Sequence, residues 1–178
     1  MKNLNVYRIH LKKIRSARGD FDDDVKQKIL PSSKEYCHSL NDDLPINLGW
    51  LPAETILEDF IDGKPFTTGH NSAKHWYVVE LLCNGFGKEL SCNNCENWSV
   101  DDFYDYEEFR MYFLGMHDLV RLPSPEAYPL VFTIENKNLE KAKLKIDNSD
   151  HSDLEKNQFI DWVQSAMDHE QDLILFYY

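Results

Sequence analysis

The segment from Leu173 to Tyr178 (LILFYY) is an uninterrupted run of large apolar and aromatic residues. A continuous run of this kind predicts a buried strand. Because the run reaches Tyr178, we expect the C-terminal residues to be built into the core.

Two further segments are rich in β-branched and aromatic residues and predict strands. Asn3–Leu11 (NLNVYRIHL) alternates imperfectly, since Val6 and Ile9 fall on opposite faces. Tyr128–Glu135 (YPLVFTIE) carries Pro129, which suits the beginning of a strand or an edge.

Apolar residues at helical spacing predict helices between these strands. The clearest apolar stripe starts after Pro52, a favourable first residue of a helix, and ends before Gly63, which can close the helix in the left-handed conformation. That stripe consists of Ala53, Ile56, Leu57, Phe60 and Ile61. Further helices are expected over 20–31, from Ser72 to Gly85 or Gly87, over 138–146, and after the capping box Ser152–Glu155, with an irregular loop over 31–49. The segment 99–115 predicts a helix after Ser99, although its many β-forming residues could equally make a strand.

Helices and strands follow one another too irregularly for repeated βαβ units. We therefore expect a single α+β domain over residues 1–178, with a small, mostly antiparallel sheet packed with several helices. With 178 residues, 42% of them apolar and 13% aromatic, the chain suits one globular domain. Its apolar runs are too short to span a bilayer and its first residues lack a secretory signal, so we expect a cytoplasmic protein.

The chain is acidic, with 31 Asp and Glu against 19 Lys and Arg and a net charge of −12. The negative electrostatic potential of such a chain repels phosphate, so nucleic acid and anionic membranes are not expected partners. A basic protein would be attracted. An acidic surface that only confers solubility is the alternative. The stretch from Glu96 to Asp118 interleaves acids with aromatics, a mixture that protein interfaces use.

The acidic residues predicted to contact a partner in this stretch are Asp101, Asp102, Asp105, Glu107 and Glu108, with Tyr104 and Tyr106 as aromatic anchors. A second predicted patch consists of Asp22, Asp23 and Asp24.

Three cysteines, Cys83, Cys92 and Cys95, have the spacing C-x8-C-x2-C and offer an alternative function, a zinc-binding domain or an enzyme built around them. The fourth ligand would be Cys37, His38, His70 or His75. The competing interpretation packs Cys83 in the core and leaves the other two as reduced thiols. No nucleophile elbow, zinc-protease helix or phosphate loop is present, so we expect no catalytic residues, no cofactor and no enzymatic activity.

Four short motifs, VYRIHL, DDDVKQKIL, LLCNGFG and DLILFYY, resemble an uncharacterised bacterial domain family associated with polymorphic toxin loci. The small, acidic profile is also similar to the immunity proteins of contact-dependent growth inhibition systems. This resemblance implies a protein that binds and neutralises a cognate toxin domain, a basic nuclease, by blocking its active site. It implies no catalytic residues.

Overall fold

The computed structural model describes residues 4–19, 23–43, 49–66, 71–93, 98 and 129–178. In chain order these residues form β1 (Leu4–Ile9), α1 (Leu11–Ala17), α2 (Asp23–Asp43), α3 (Ala53–Ile61), α4 (Asn71–Phe86), β2 (Lys88–Leu90), β3 (Leu130–Ile134), α5 (Asn136–Asp147), α6 (Asp153–Asp168) and β4 (Asp172–Tyr177).

The four strands form one antiparallel sheet in the order β2-β1-β4-β3. Strand β4 is an inner strand and pairs with β1 from Leu4↔Tyr177 to Ile9↔Asp172, and with β3 on its other side. The predicted α+β fold with a small antiparallel sheet is confirmed, and the apolar run from Leu173 onward forms one of its two inner strands.

Helices cover both faces of this sheet, and successive residues of β4 therefore enter different cores. Ile174 and Phe176 pack with α1 to α4, whereas Leu173 and Leu175 pack with α5 and α6. We refer to these two layers as the α1–α4 face and the α5–α6 face. The same alternation explains β1, where Val6 and Ile9 are both fully buried because each side of the strand is covered.

The sequence signals for helix ends are confirmed in α3 and α6. All five residues of the predicted stripe are buried in α3, and Gly63 follows it with a φ of 70°. In α6 the Ser152 side chain accepts a hydrogen bond from the Glu155 backbone, and the Glu155 side chain accepts one from the Ser152 backbone. These reciprocal bonds satisfy two amide groups that have no partner inside the helix.

Two local predictions were wrong. Pro31 does not end a helix, because α2 continues through it to Asp43, and residues 32–43 are helical and not a loop. Proline removes one backbone hydrogen bond, but Ser33, Cys37 and Leu40 bury one side of the helix at helical spacing, and this packing stabilises it. The short strand β2 was not predicted.

The helix predicted over 99–115 lies outside the described residues. In the part of the chain that the structure describes, no helix combines the length and the apolar character needed to cross a membrane.

Candidate functional site

A glutamate occupies the middle of the most buried helix. Glu80 lies in α4 between Val79 and Leu81, and its exposed fraction is only 3%. Tyr77 and Asn84 are three residues before it and four after it, so the three side chains share one side of the helix.

Four neutral groups donate hydrogen bonds to the Glu80 carboxylate. Asn5 Nδ2 and the Tyr7 hydroxyl lie 2.7 and 3.0 Å from Oε1. The Tyr36 hydroxyl lies 3.3 Å from Oε2, and the Tyr178 hydroxyl also donates to this oxygen. Both carboxylate oxygens are therefore occupied by donors that carry no charge.

The sheet positions most of these partners. Asn5 and Tyr7 are two residues apart on β1, so both side chains point to the α1–α4 face. Glu89 of β2 is the direct neighbour of Tyr7 across the β1–β2 pair, and Tyr178 directly follows the end of β4. Three strands thus bring polar groups beneath α4.

Helix α2 completes the site from the other side. Tyr36 and Asp43 are seven residues apart and line the same cavity, as expected for two turns of a helix. This contribution depends on the part of α2 that follows Pro31.

Burial is the main cause of the pKa shifts in this cluster. It raises the pKa of the Glu80 carboxyl above its usual value, although the hydrogen bonds from Asn5, Tyr7 and Tyr36 act in the opposite direction. Burial and the nearby Glu80 charge raise the pKa of the Tyr7 and Tyr36 hydroxyls far above neutrality. Tyr7 and Tyr36 therefore act as neutral hydrogen-bond donors at pH 7.

The cluster forms the floor of a cavity of about 320 Å³. This volume is at the lower end of the range for ligand sites and suits one small group. Among the described residues, three carboxyl groups and four tyrosines line the cavity, and no Lys, Arg or His does. The lining residues are Asn5, Tyr7, Tyr36, Ser39, Leu40, Asp43, Tyr77, Glu80, Asn84, Glu89 and Tyr178. The arrangement suits binding of a donor-rich, positively charged group.

The residues predicted to contact a partner are not the residues of this cavity. Positions 101–108 and Asp22 lie outside the described residues, and Asp23 and Asp24 are the first two residues of α2. The structure therefore neither joins these acids to the cavity nor separates them from it.

The cysteines of the alternative zinc interpretation do not come together as far as the structure describes them. Cys83 is a free, buried thiol in the α1–α4 core, whereas Cys92 packs against the α5–α6 core and is disulfide-bonded. The expectation that Cys92 is a reduced thiol was wrong. Cys95 lies outside the described residues, and within them no three His, Cys, Asp or Glu side chains form a metal-type cluster.

The sequence interpretation missed Glu80. A single acid inside the apolar segment WYVVELLC was the available signal, since an ionisable residue is seldom fully buried without a partner. Its partners are 44 to 98 residues away along the chain, and no local pattern connects them.

Fold and site together define a three-layer α+β protein with an acidic, tyrosine-lined cavity. The chain belongs to the family described as a domain of unknown function (DUF7691), whose match covers residues 1–178. No curated protein and no solved structure gives a significant match.

Proposed function

We propose that the protein is a cytoplasmic immunity protein, which binds a basic toxin domain, a nuclease, and blocks its active site. The observation that carries this proposal is the cavity at Glu80, because the described residues of its wall include three carboxyl groups and no basic side chain, which favours a cationic partner. A nuclease that binds nucleic acid presents such cations around its active site.

The overall charge supports the same proposal. A net charge of −12 accelerates encounter with a basic protein and weakens contact with phosphate polymers. The mixture of acids and tyrosines over 101–108 supplies both long-range attraction and aromatic contacts, which slow dissociation.

The test is binding to the toxin domain encoded next to this chain. We expect a one-to-one complex whose association slows steeply as salt is added, and a nuclease that is inactive within the complex. The triple variant Asp101→Lys, Asp102→Lys and Asp105→Lys should slow association by about tenfold or more at low salt.

A matched triple variant controls for the change in net charge. Glu140, Asp147 and Asp150 are exposed on or next to α5, and their replacement by Lys should slow association by less than about threefold. Equal effects of the two triple variants would contradict the placement of the interface at 101–108. Absence of a complex with the neighbouring domain would contradict the immunity role itself.

A further inference from the structure

Glu80 is buried, and the part of the chain that the structure describes supplies no compensating cation for it. All four of its hydrogen-bond donors are neutral, and among the described residues no Lys, Arg or His side chain pairs with it. A buried carboxylate with no opposite charge is costly, and a cation brought by a ligand would offset this cost.

The cavity wall also offers more acceptors than donors. Each tyrosine hydroxyl that donates its single hydrogen to Glu80 keeps an oxygen that can still accept one, and the carboxyl groups of Asp43 and Glu89 add further acceptors. The complementary ligand is therefore positively charged and carries several N–H groups.

Two features favour a guanidinium over an ammonium group. A guanidinium is flat, has five donors in a fixed arrangement, stacks on aromatic rings and is weakly hydrated. The cavity supplies dispersed acceptors and the stacked rings of Tyr77 and Tyr178, whose centres are 5.5 Å apart at an angle of 26°. An ammonium has three donors around one point and retains water more strongly.

We infer that the cavity at Glu80 is a binding site for a guanidinium group, which under the proposed function is an arginine side chain of the toxin. The group reaches the Glu80 cluster with Asp43 at the edge and the rings of Tyr77 and Tyr178 beside it. Its charge balances the Glu80 carboxylate, which receives only neutral donors from the described residues.

The test uses N-acetyl-arginine amide as a probe, titrated calorimetrically into the full chain. Its neutral isostere N-acetyl-citrulline amide and N-acetyl-lysine amide serve as comparisons. We expect saturable binding of the arginine probe, at least about tenfold weaker binding of the citrulline probe, and intermediate binding of the lysine probe. Equal binding of the arginine and citrulline probes, or no saturation by about 100 mM arginine probe, would overturn the inference.

Variants locate the site. Glu80→Gln keeps the size of the side chain and should weaken binding of the arginine probe by at least about tenfold. Asp43→Asn should weaken binding of the arginine probe by about threefold. The matched control Asp42→Asn removes the same charge from the neighbouring residue, which does not line the cavity, and should leave probe binding unchanged. The Asp pair at the exposed end of α2 keeps the test valid if Glu80→Gln does not fold. Identical binding by the two Asp variants would place the probe elsewhere.

These experiments distinguish a failure of the guanidinium site from a failure of the proposed immunity function. In one outcome the protein does not bind the probe, and the toxin complex forms equally well with Glu80→Gln and Asp43→Asn. This result would contradict the guanidinium site and leave the immunity role standing. A probe that binds through Glu80, in a protein that forms no toxin complex, keeps the site and makes a free small guanidinium compound its ligand.

Discussion

The two faces of the sheet bury different kinds of side chains. Among the described residues, the α1–α4 face encloses one Lys, one His and one Glu side chain (Lys74, His75 and Glu80), each no more than 3% exposed. In the described residues of α5 and α6 the buried side chains are apolar except for Gln158, which bonds to the backbone of Ser91 and Asn93. Buried charge is costly, and in the described residues it lies on one face; under the proposed function this face binds the partner, while the other chiefly stabilises the fold.

Removal of Trp162 is expected to have the largest effect, and it tests the division between a binding face and a stabilising face. Trp162 is 1% exposed in the α5–α6 core, and its indole donates a 2.9 Å hydrogen bond to the Ser91 carbonyl. Trp162→Ala should reduce the free energy of unfolding by about 3–5 kcal/mol, measured by urea denaturation. Trp162→Phe should cost less, and its folded form should bind the arginine probe like the wild type. Weakened probe binding by folded Trp162→Phe would contradict the division.

Loss of the α6 cap is the intermediate test. Ser152→Ala removes the acceptor of the Glu155 amide and should cost about 1 kcal/mol of unfolding free energy. Ser152→Asp, which can also cap, should restore most of this loss. Neither change should affect probe binding, since the cap lies on the α5–α6 face; an unchanged urea midpoint in Ser152→Ala would show that the cap contributes little.

The smallest net effect is expected for Glu80→Gln, where removal of a buried charge is offset by the loss of acceptors for tyrosine hydroxyls. Its signature is a pH dependence. The folded pKa of Glu80 is raised above the unfolded value near 4.5, so above that pH the unfolded chain releases a proton that the folded chain retains. Rising pH therefore lowers the stability of the wild type relative to Glu80→Gln.

Urea denaturation of both proteins between pH 4 and pH 8 measures this difference. The groups around Glu80 are Tyr7 on β1, Glu89 on β2, Tyr36 and Asp43 on α2, Tyr77 on α4, and Tyr178 after β4. All of them are present in both proteins. A difference in stability that stays constant with pH would show that the Glu80 pKa is not raised.

Much of the fold can be predicted from short segments of the chain. The apolar run of β4, the stripe of α3 and the capping box before α6 each depend on residues within a few positions of one another. Such features follow from the geometry of one helix or strand, so periodicity and capping chemistry were sufficient to predict them.

Elements that depend on distant contacts were predicted less well. Pro31 indicated the end of a helix, yet α2 continues because Cys37 and Leu40 pack into the core formed with α3 and α4. Strand β2 has three residues, two of them exposed, and it exists through its pairing with β1. Neither effect leaves a periodic signal in the segment itself.

Composition and local pattern thus account for an acidic α+β chain, most of its helices and strands, and the burial of its last strand. The cavity at Glu80 required the packed molecule, because Asn5, Tyr36 and Tyr178 are 75, 44 and 98 residues away from the glutamate whose carboxylate they share. Hydrogen bonds over such separations depend on how the sheet and helices are stacked, and this stacking is a property of the whole chain and of no single segment.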